Sequence, residues 1–446
     1  MHPTYIHKPH LLSFLAYGWD DDDDDDDPNR NDALLLDGSG SVLDTDAAAR
    51  RRAVLEELWE RLASISERKS TVQREALLRH TCWTLAGTPA TEVELPSVVY
   101  EACRFAWKGG AAAEQYAACR VLAVTSIVLG ADEDAWVTSV RSLLESSRMH
   151  TTTSTIAVRT AALRAYTTAV VVCGAADREV RDAWMDQCEE WGAVEYRNAI
   201  TPAGVRAAAW DCWTVVATLL HDLEIAGEDD ANTGRGVLVL EQLRDCLESN
   251  HPDLRSAAGQ AASLIHEARL NLGTDEGNTT ARRFHAGNWE GSSQEDTMYE
   301  IQQRIAELAV ESSHRVSKKV KKAQRATFRE YVATLVDEES PYEVVHLRRG
   351  SLEIHSWKEL IMLNFMKQSL QGGFQTQLLT NGTLQSMLRV DASSLSRTGG
   401  MSGVEKRLVQ SKASEASKLA DQDLQGRRDK RENVKNHFLT ADGERI

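Results

Sequence analysis

Apolar residues recur at three- and four-residue intervals almost without a break from Asp46 to about Leu272. That spacing lines one side of a helix, so the stretch predicts helix after helix. Asp46 can cap a first helix that carries Val54, Leu55, Leu58, Leu62 and Ile65 on one face. Ser70 opens a second, with Val72, Ala76, Leu77 and Trp83, and Leu95 to Trp107 makes a third with Pro96 in its first turn. Glu114 to Leu129, closed by Gly130, is apolar nearly all round and should lie at the centre of the fold. Asp134 to Leu144, Ser154 to Val172 and Val180 to Trp191 follow, and Thr201-Pro202 starts a helix running to about Leu220. Val237 to Leu247 and Asp253 to Ala268 complete the series. Helices of roughly 10–20 residues on short Gly, Asp and Ser turns, with little strand pattern, describe an α-solenoid.

The segment His251 to Ala262 sharpens the picture. Pro252 starts the helix, Arg255 sits outside, and Ser256, Ala257, Ala258, Gly259, Ala261 and Ala262 give a small-residue face that lets another helix approach closely. It looks like the inner helix of an armadillo or HEAT repeat, although no single period aligns the repeats. Residues 273–293 are rich in Gly, Asn, Thr and Asp and read as a loop, and Met298 to Leu308 restarts the helical pattern. Beyond residue 314 the texture changes. Tyr342 to Leu347 and Leu352 to Ser356 are β-type runs around Arg348-Arg349-Gly350-Ser351, which predicts a hairpin. Trp357 to Leu370 is a helix with Leu360, Ile361, Phe365 and Met366 on its apolar side, ending at Gly372-Gly373. Val404 to about Phe438 is a polar helix with few large apolar residues, too few for stability alone. The fold class expected is all-α: an armadillo/HEAT-like helical solenoid, then a small α+β C-terminal module and a terminal basic helix. The expected domains are a disordered acidic tail over 1–45, the repeat domain over 46–314, the module over 315–390, and a linker with the basic helix over 391–446.

Charge divides the chain along the same lines. Residues 1–314 hold 28 Lys+Arg against 51 Asp+Glu, a net of −23, and residues 315–446 hold 23 against 16, a net of +7. Such asymmetry points to different partners for the two parts. Asp20 to Asp27 are eight consecutive aspartates, whose repulsion opposes compaction. They suit a solubilising tail, or an acidic decoy for the basic C-terminal third. Arg315 to Arg329 contains seven Lys+Arg and no acid. The candidate nucleic-acid contacts there are Arg315, Lys318, Lys319, Lys321, Lys322, Arg325 and Arg329, with Val316, Val320, Ala323, Ala326 and Phe328 interleaved. A second cluster on the terminal helix comprises Arg427, Arg428, Lys430, Arg431 and Lys435. Cations on a helical stripe can meet successive phosphates of RNA. A solvated face or a nuclear-import signal fits the same residues, as does contact with the acidic tail.

No catalytic constellation is present. The chain lacks GxxxxGK[ST], HExxH, GxSxG and DxDxDG patterns, and Gly38-Ser39-Gly40 has no strand before it and no third glycine. No cofactor and no metal are expected: His7 and His10 make a chance pair, and His346 and His355, flanking the hairpin, suit surface roles. The tryptophans Trp83, Trp136, Trp184, Trp210 and Trp213 stand at core spacings. The seven cysteines form no CxxC pair and mostly fall in apolar helical patterns, as buried reduced thiols do. Met1 to Leu12 lacks the order of a signal peptide, and Ile156 to Cys173 is interrupted by Arg159 and Arg164, so no membrane partner is expected.

Met298-Tyr299-Glu300 through Lys318-Lys319 to Gln324-Arg325-Ala326-Thr327-Phe328-Arg329 reads as a helix leading into a basic Q-R-x-x-F-R segment, and in this it resembles the interferon-related developmental regulator family. Glu353-Ile354-His355-Ser356-Trp357, Gly372 to Leu378 with Leu384 and Leu388, and Asp429-Lys430-Arg431 to Phe438 resemble its C-terminal features. Lys108-Gly109-Gly110 to Glu114-Gln115 and Asp253 to Gly259 fit its armadillo-type domain. The likeness covers roughly residues 46–438; the eight-aspartate tail and the 273–293 insert depart from it. It implies one of two roles. One is a ribosome-bound factor that occupies the tRNA sites of idle ribosomes and threads its C-terminal helix into the mRNA channel, with rRNA as partner, in the cytoplasm. The other is a nuclear transcriptional co-regulator that binds chromatin corepressor and deacetylase complexes. The marginal basic helix suits an RNA-walled channel, which favours the first.

Overall fold

The computed structural model describes residues 43–145, 154–196, 199–227, 234–274, 292–310, 318–347 and 350–390. Residues 1–392 make one compact unit by their contacts and residues 393–446 a second, which lies outside the described part. The described residues are mostly helical, as an all-α helical solenoid requires.

The helices, in chain order, are α1 (Leu43–Ala63), α2 (Thr71–Gly87), α3 (Ser97–Gly109), α4 (Ala112–Leu129), α5 (Asp134–Leu144), α6 (Ile156–Val172) and α7 (Arg178–Gly192). A two-residue strand pair, β1 (Glu195–Tyr196) with β2 (Ala199–Ile200), comes next. Then follow α8 (Ala203–Ala217), α9 (Asp222–Ala226), α10 (Arg235–Leu247), α11 (Pro252–Thr274), α12 (Ser293–Val310) and α13 (Lys318–Leu335). The antiparallel hairpin β3 (Glu343–Leu347) and β4 (Gly350–Ile354) pairs Glu343 with Ile354 and Leu347 with Gly350. It leads to α14 (Trp357–Leu370), α15 (Phe374–Thr380) and α16 (Gly382–Met387).

Local chemistry sets most boundaries. The Ser70 hydroxyl accepts from Gln73 N, Thr155 from Val158 N, Asp177 from Glu179 N and Val180 N, and Ser356 from Glu359 N. Each satisfies N–H groups that the first turn leaves orphaned. Gly130 closes α4 at φ +85°, where a side chain is strained. Several expectations shift. The first helix begins at Leu43, ahead of the expected Asp46 cap. Pro96 and Pro202 stand at the cap itself rather than inside the helix. The leucine-rich segment after Gly373 breaks into two short helices at Asn381, whose side chain caps the second.

The packing alternates. α2, α4, α6, α8, α11 and α13 form one row, each packed on the next, and α1, α3, α5, α7, α10 and α12 pack against them from one side. Successive helical hairpins therefore stack, as in a repeat array. On the central row lies a third layer of the chain's own making. α14 touches α11, α8 and α4, and α15 reaches α2. The run from Trp357 to Leu388 is thus a strap laid back along the row. Covering on both sides explains why α4, α6 and α8 read as apolar all round: Val121, Val124, Leu163, Val170, Trp210 and Val216 are all fully buried. α4 is long and apolar enough to cross a membrane, yet 72% of it is inside this core.

The strap is fixed by polar side chains as well as by Leu363, Met366, Leu378 and Leu384 in the core. Gln377 is fully buried, and its Nε2 donates to the carbonyls of Leu85 (3.1 Å), Ala86 (3.2 Å) and Thr88 (2.7 Å) at the end of α2. Asn381 Nδ2 donates to Ile127 O at the end of α4 (2.7 Å), and Lys358 Nζ to Leu220 O beyond α8 (2.7 Å). Helix ends leave such carbonyls without intrahelical partners. A Cβ on Gly373 would stand 2.4 Å from Ala86 O, so only glycine lets the strap come this close.

Apolar spacing overestimated the core at one end. Val54, Val72 and Trp83, expected on packed faces, are 47%, 71% and 59% exposed. α2 ends the central row, so its outer side has no further helix to cover it among the described residues. Trp184, Trp210 and Trp213 are buried as expected, and Trp136 is partly buried. All seven cysteines are free and buried. Burial pushes thiols such as Cys173 and Cys212 up to about 12, which makes them inert.

Candidate functional site

From Lys318 on, the basic run forms the first turns of α13, a helix with no acid before Glu330. Its apolar side holds it to the body: Phe328, Tyr331 and Leu335 are at most 1% exposed, and Thr327 and Thr334 are buried beside them. Positions 318, 322, 325 and 329 succeed one another at helical steps of four, three and four residues. They therefore line one strip on a different side of the helix from the buried positions. Lys319 and Lys321 fall to either side of it.

Of the residues singled out by sequence, Arg325 is half-buried and Arg329 is exposed. Lys318, Lys319, Lys321 and Lys322 lie on α13, but their side chains fall outside the described part. Arg315 and the second cluster, Arg427, Arg428, Lys430, Arg431 and Lys435, lie outside the described residues altogether. The structure places six of the seven residues of the first cluster on one helix. His355 is exposed, its ring lies tilted against Tyr342 with centroids 5.2 Å apart, and it stands 3.5 Å from Glu353; this is a surface arrangement.

The seat of α13 is made by residues that charge reasoning passed over. Tyr331 OH bonds both the hydroxyl and the carbonyl oxygen of Ser256, each at 3.1 Å. Its ring lies where a Cβ on Gly259 would come within 2.6 Å, and Phe328 packs edge-on to it at 5.5 Å. The small-residue face of α11, visible in the sequence, is thus the socket for Tyr331. The side chain of Trp357, the first residue of the strap, donates Nε1–H to Thr334 Oγ1 (2.9 Å) and packs tilted against the Tyr331 ring, centroids 5.6 Å apart. Its backbone N–H donates to both carboxylate oxygens of Glu267 on α11, each at 2.9 Å. A tryptophan opening a helix behind a β-run was the only trace of this in the sequence.

Two buried carboxylates mark the electrostatics of the central row. Burial pushes Glu267 up to about 7, against the Trp357 N–H that favours its charged form. Burial likewise raises Asp211 to about 7, although Arg164 lies 3.5 Å away. At the other end, Glu114 is fully buried, binds Arg74 at 2.8 Å and accepts from Ala111 N at 3.0 Å. A Cβ on Gly110 would meet that carboxylate at 2.4 Å, so the Gly-Gly before Glu114 has a structural reason. Each carboxylate is fixed by backbone or arginine, and none faces a nucleophile across a shaped pocket. A cleft of about 170 Å³ between α10 and α12, lined by Leu238, Glu241, Gln294 and Thr297, offers a single carboxylate. Among the described residues, no three His, Cys, Asp or Glu side chains gather as a metal site.

One family model covers the seat and the helix together. A comparison with individual curated proteins finds no match. The family model for interferon-related developmental regulators matches residues 30–336. The match includes the Gly-Gly before Glu114, the α11 socket and the basic helix, and it ends before the hairpin and the strap. Because it spans more than half of the chain, the protein belongs to the interferon-related developmental regulator family, a family of regulators.

Proposed function

We propose that the protein is a non-catalytic, ribosome-associated factor that keeps ribosomes translationally inactive. In this reading Arg315 to Arg329 contacts rRNA near the tRNA sites, and Val404 to Phe438 enters the mRNA channel, in the cytoplasm. The observation that carries it is the construction of α13: one side is sunk in the core through Phe328, Tyr331 and Leu335, while 318, 322, 325 and 329 share a strip elsewhere on the helix. A helix docked by its apolar side and cationic along another presents charge to a polyanion without needing to fold on it. The family model matches this helix together with its socket. The strap bears on the alternative, a scaffold whose groove takes peptides from corepressor complexes: residues 357–388 already cover one side of the central row.

Sedimentation of the full-length protein through sucrose gradients tests the proposal. Co-migration with 80S particles at low salt, lost at high salt, is expected. If four phosphates are met along the strip, raising salt from 50 to 200 mM weakens binding on the order of 100-fold. Changing Arg427, Arg428, Lys430 and Arg431 to Glu should release the protein. Absence from the 80S peak at low salt would sink the reading. Loss of nuclear signal on replacing Lys318, Lys319, Lys321 and Lys322 by Ala, with ribosome binding intact, would favour the scaffold instead.

A further inference from the structure

The residue that joins three parts of the fold is Trp357. Through its backbone N–H it is tied to Glu267 on α11, through its indole N–H to Thr334 on α13, and it heads the strap that runs back to α2. Thr334 bridges two segments: its hydroxyl accepts from Trp357 and donates to Glu339 O at 3.0 Å, where the chain leaves α13 for the hairpin. One turn earlier Tyr331 fills the Ser256–Gly259 socket and packs on the Trp357 ring. Gln302 on α12 adds a 2.7 Å bond to Leu335 O at the end of the same helix. The contacts to α13 fall at 331, 334 and 335, in its last turns, while positions 318, 322 and 325 lie in its first half and Arg329 stands beside the braced segment. A helix is stiff over this length, so fixing the rotation and tilt of one half fixes where the other half presents its cations.

We propose that Trp357, Thr334 and Tyr331 are positioning residues for RNA contact: they lock α13 in the rotational setting that aims the 318–322–325–329 strip at its polyanion. This rests on the reading that α13 contacts ribosomal RNA. The sequence separation is informative, since one member of the brace, Trp357, follows the basic helix and lies beyond the family match. The strap therefore helps to orient a surface it does not itself form.

The test uses the full-length protein, purified 80S particles and a labelled single-stranded RNA 20-mer read by anisotropy. Thr334→Val removes the hydroxyl while keeping the branched shape, Thr334→Ser keeps the hydroxyl, and Trp357→Phe keeps an aromatic ring but loses the N–H. Thr334→Val and Trp357→Phe are expected to weaken binding about 5–10-fold and to lower the slope of log affinity against log salt by about one contact. Thr334→Ser is expected to restore both. A purely structural role would lower the melting temperature without changing the salt slope of the folded fraction. Wild-type affinity and slope in Thr334→Val would overturn the proposal while leaving ribosome binding standing. If the unaltered protein binds neither 80S particles nor the 20-mer, ribosome association itself fails first.

Discussion

At the scale of single residues, the buried carboxylates have a consequence for stability. Glu267 and Asp211 are raised to about 7 in the fold, against about 4 in an unfolded chain. Between those values the native state binds more protons than the unfolded one, so their contribution declines as pH rises from about 4 through about 7. Glu267→Gln keeps an oxygen acceptor for Trp357 N–H and removes the titration. Urea unfolding from pH 5 to 8 should therefore be flatter for this variant, with a gain on the order of 1–3 kcal/mol at pH 8. A pH profile parallel to that of the wild type would argue against it. Gly259 makes a second case, because its missing Cβ is the space that Tyr331 fills. Gly259→Ala is expected to cost about 1–3 kcal/mol through overpacking. In a Tyr331→Ala background the same change should cost little, and this non-additivity is the diagnostic.

At the scale of elements, the helices were legible where the apolar stripe is sharply bounded, with or without a side-chain cap. Asp134 to Leu144 and Trp357 to Leu370 have the extents their sequences predict. Legibility failed at the Leu43 end, and where elements are too short for a period, as in α9 and the β1–β2 pair. The strap shows a different gap. Gln377 and Asn381 sit four residues apart in a leucine-rich stretch, and their spacing was the available signal that two amides are buried together. Their use, capping the ends of α2 and α4, depends on helices 292 and 254 residues earlier in the chain. Gln377→Ala leaves three buried carbonyls short of a donor and is expected to destabilise the protein by about 2 kcal/mol. Thermal unfolding measures this, and a shift within error would mean that water replaces the amide.

At the scale of the whole molecule, the strap makes residues 43–390 interdependent even though the family match stops at residue 336. A chain truncated after Val336 would expose the apolar groups now covered by Leu363, Met366, Leu378 and Leu384. It would also leave the ends of α2 and α4 uncapped. Such a chain is expected to aggregate or to melt at least 10 °C lower, because its losses add over several sites. A truncated protein that melts with the intact one would show the strap to be dispensable. The same layer bears on the proposed function: with one side of the central row filled from within, the proposal rests on the cationic helix rather than on that face.

What the sequence determined by itself is local and periodic. It set the helical class, most helix bounds, the inert buried thiols, the hairpin and the division of charge, because each follows from residue spacing along one chain. Only the tertiary structure decided which apolar faces are covered. It left Val72 and Trp83 exposed at the end of a row, and it laid Trp357 to Leu388 over the centre. It also gave the small residues of α11 their purpose, as the socket for Tyr331. The physical reason is that periodicity marks a face as apolar without naming its partner, and a partner distant in sequence is chosen by the free energy of packing the whole.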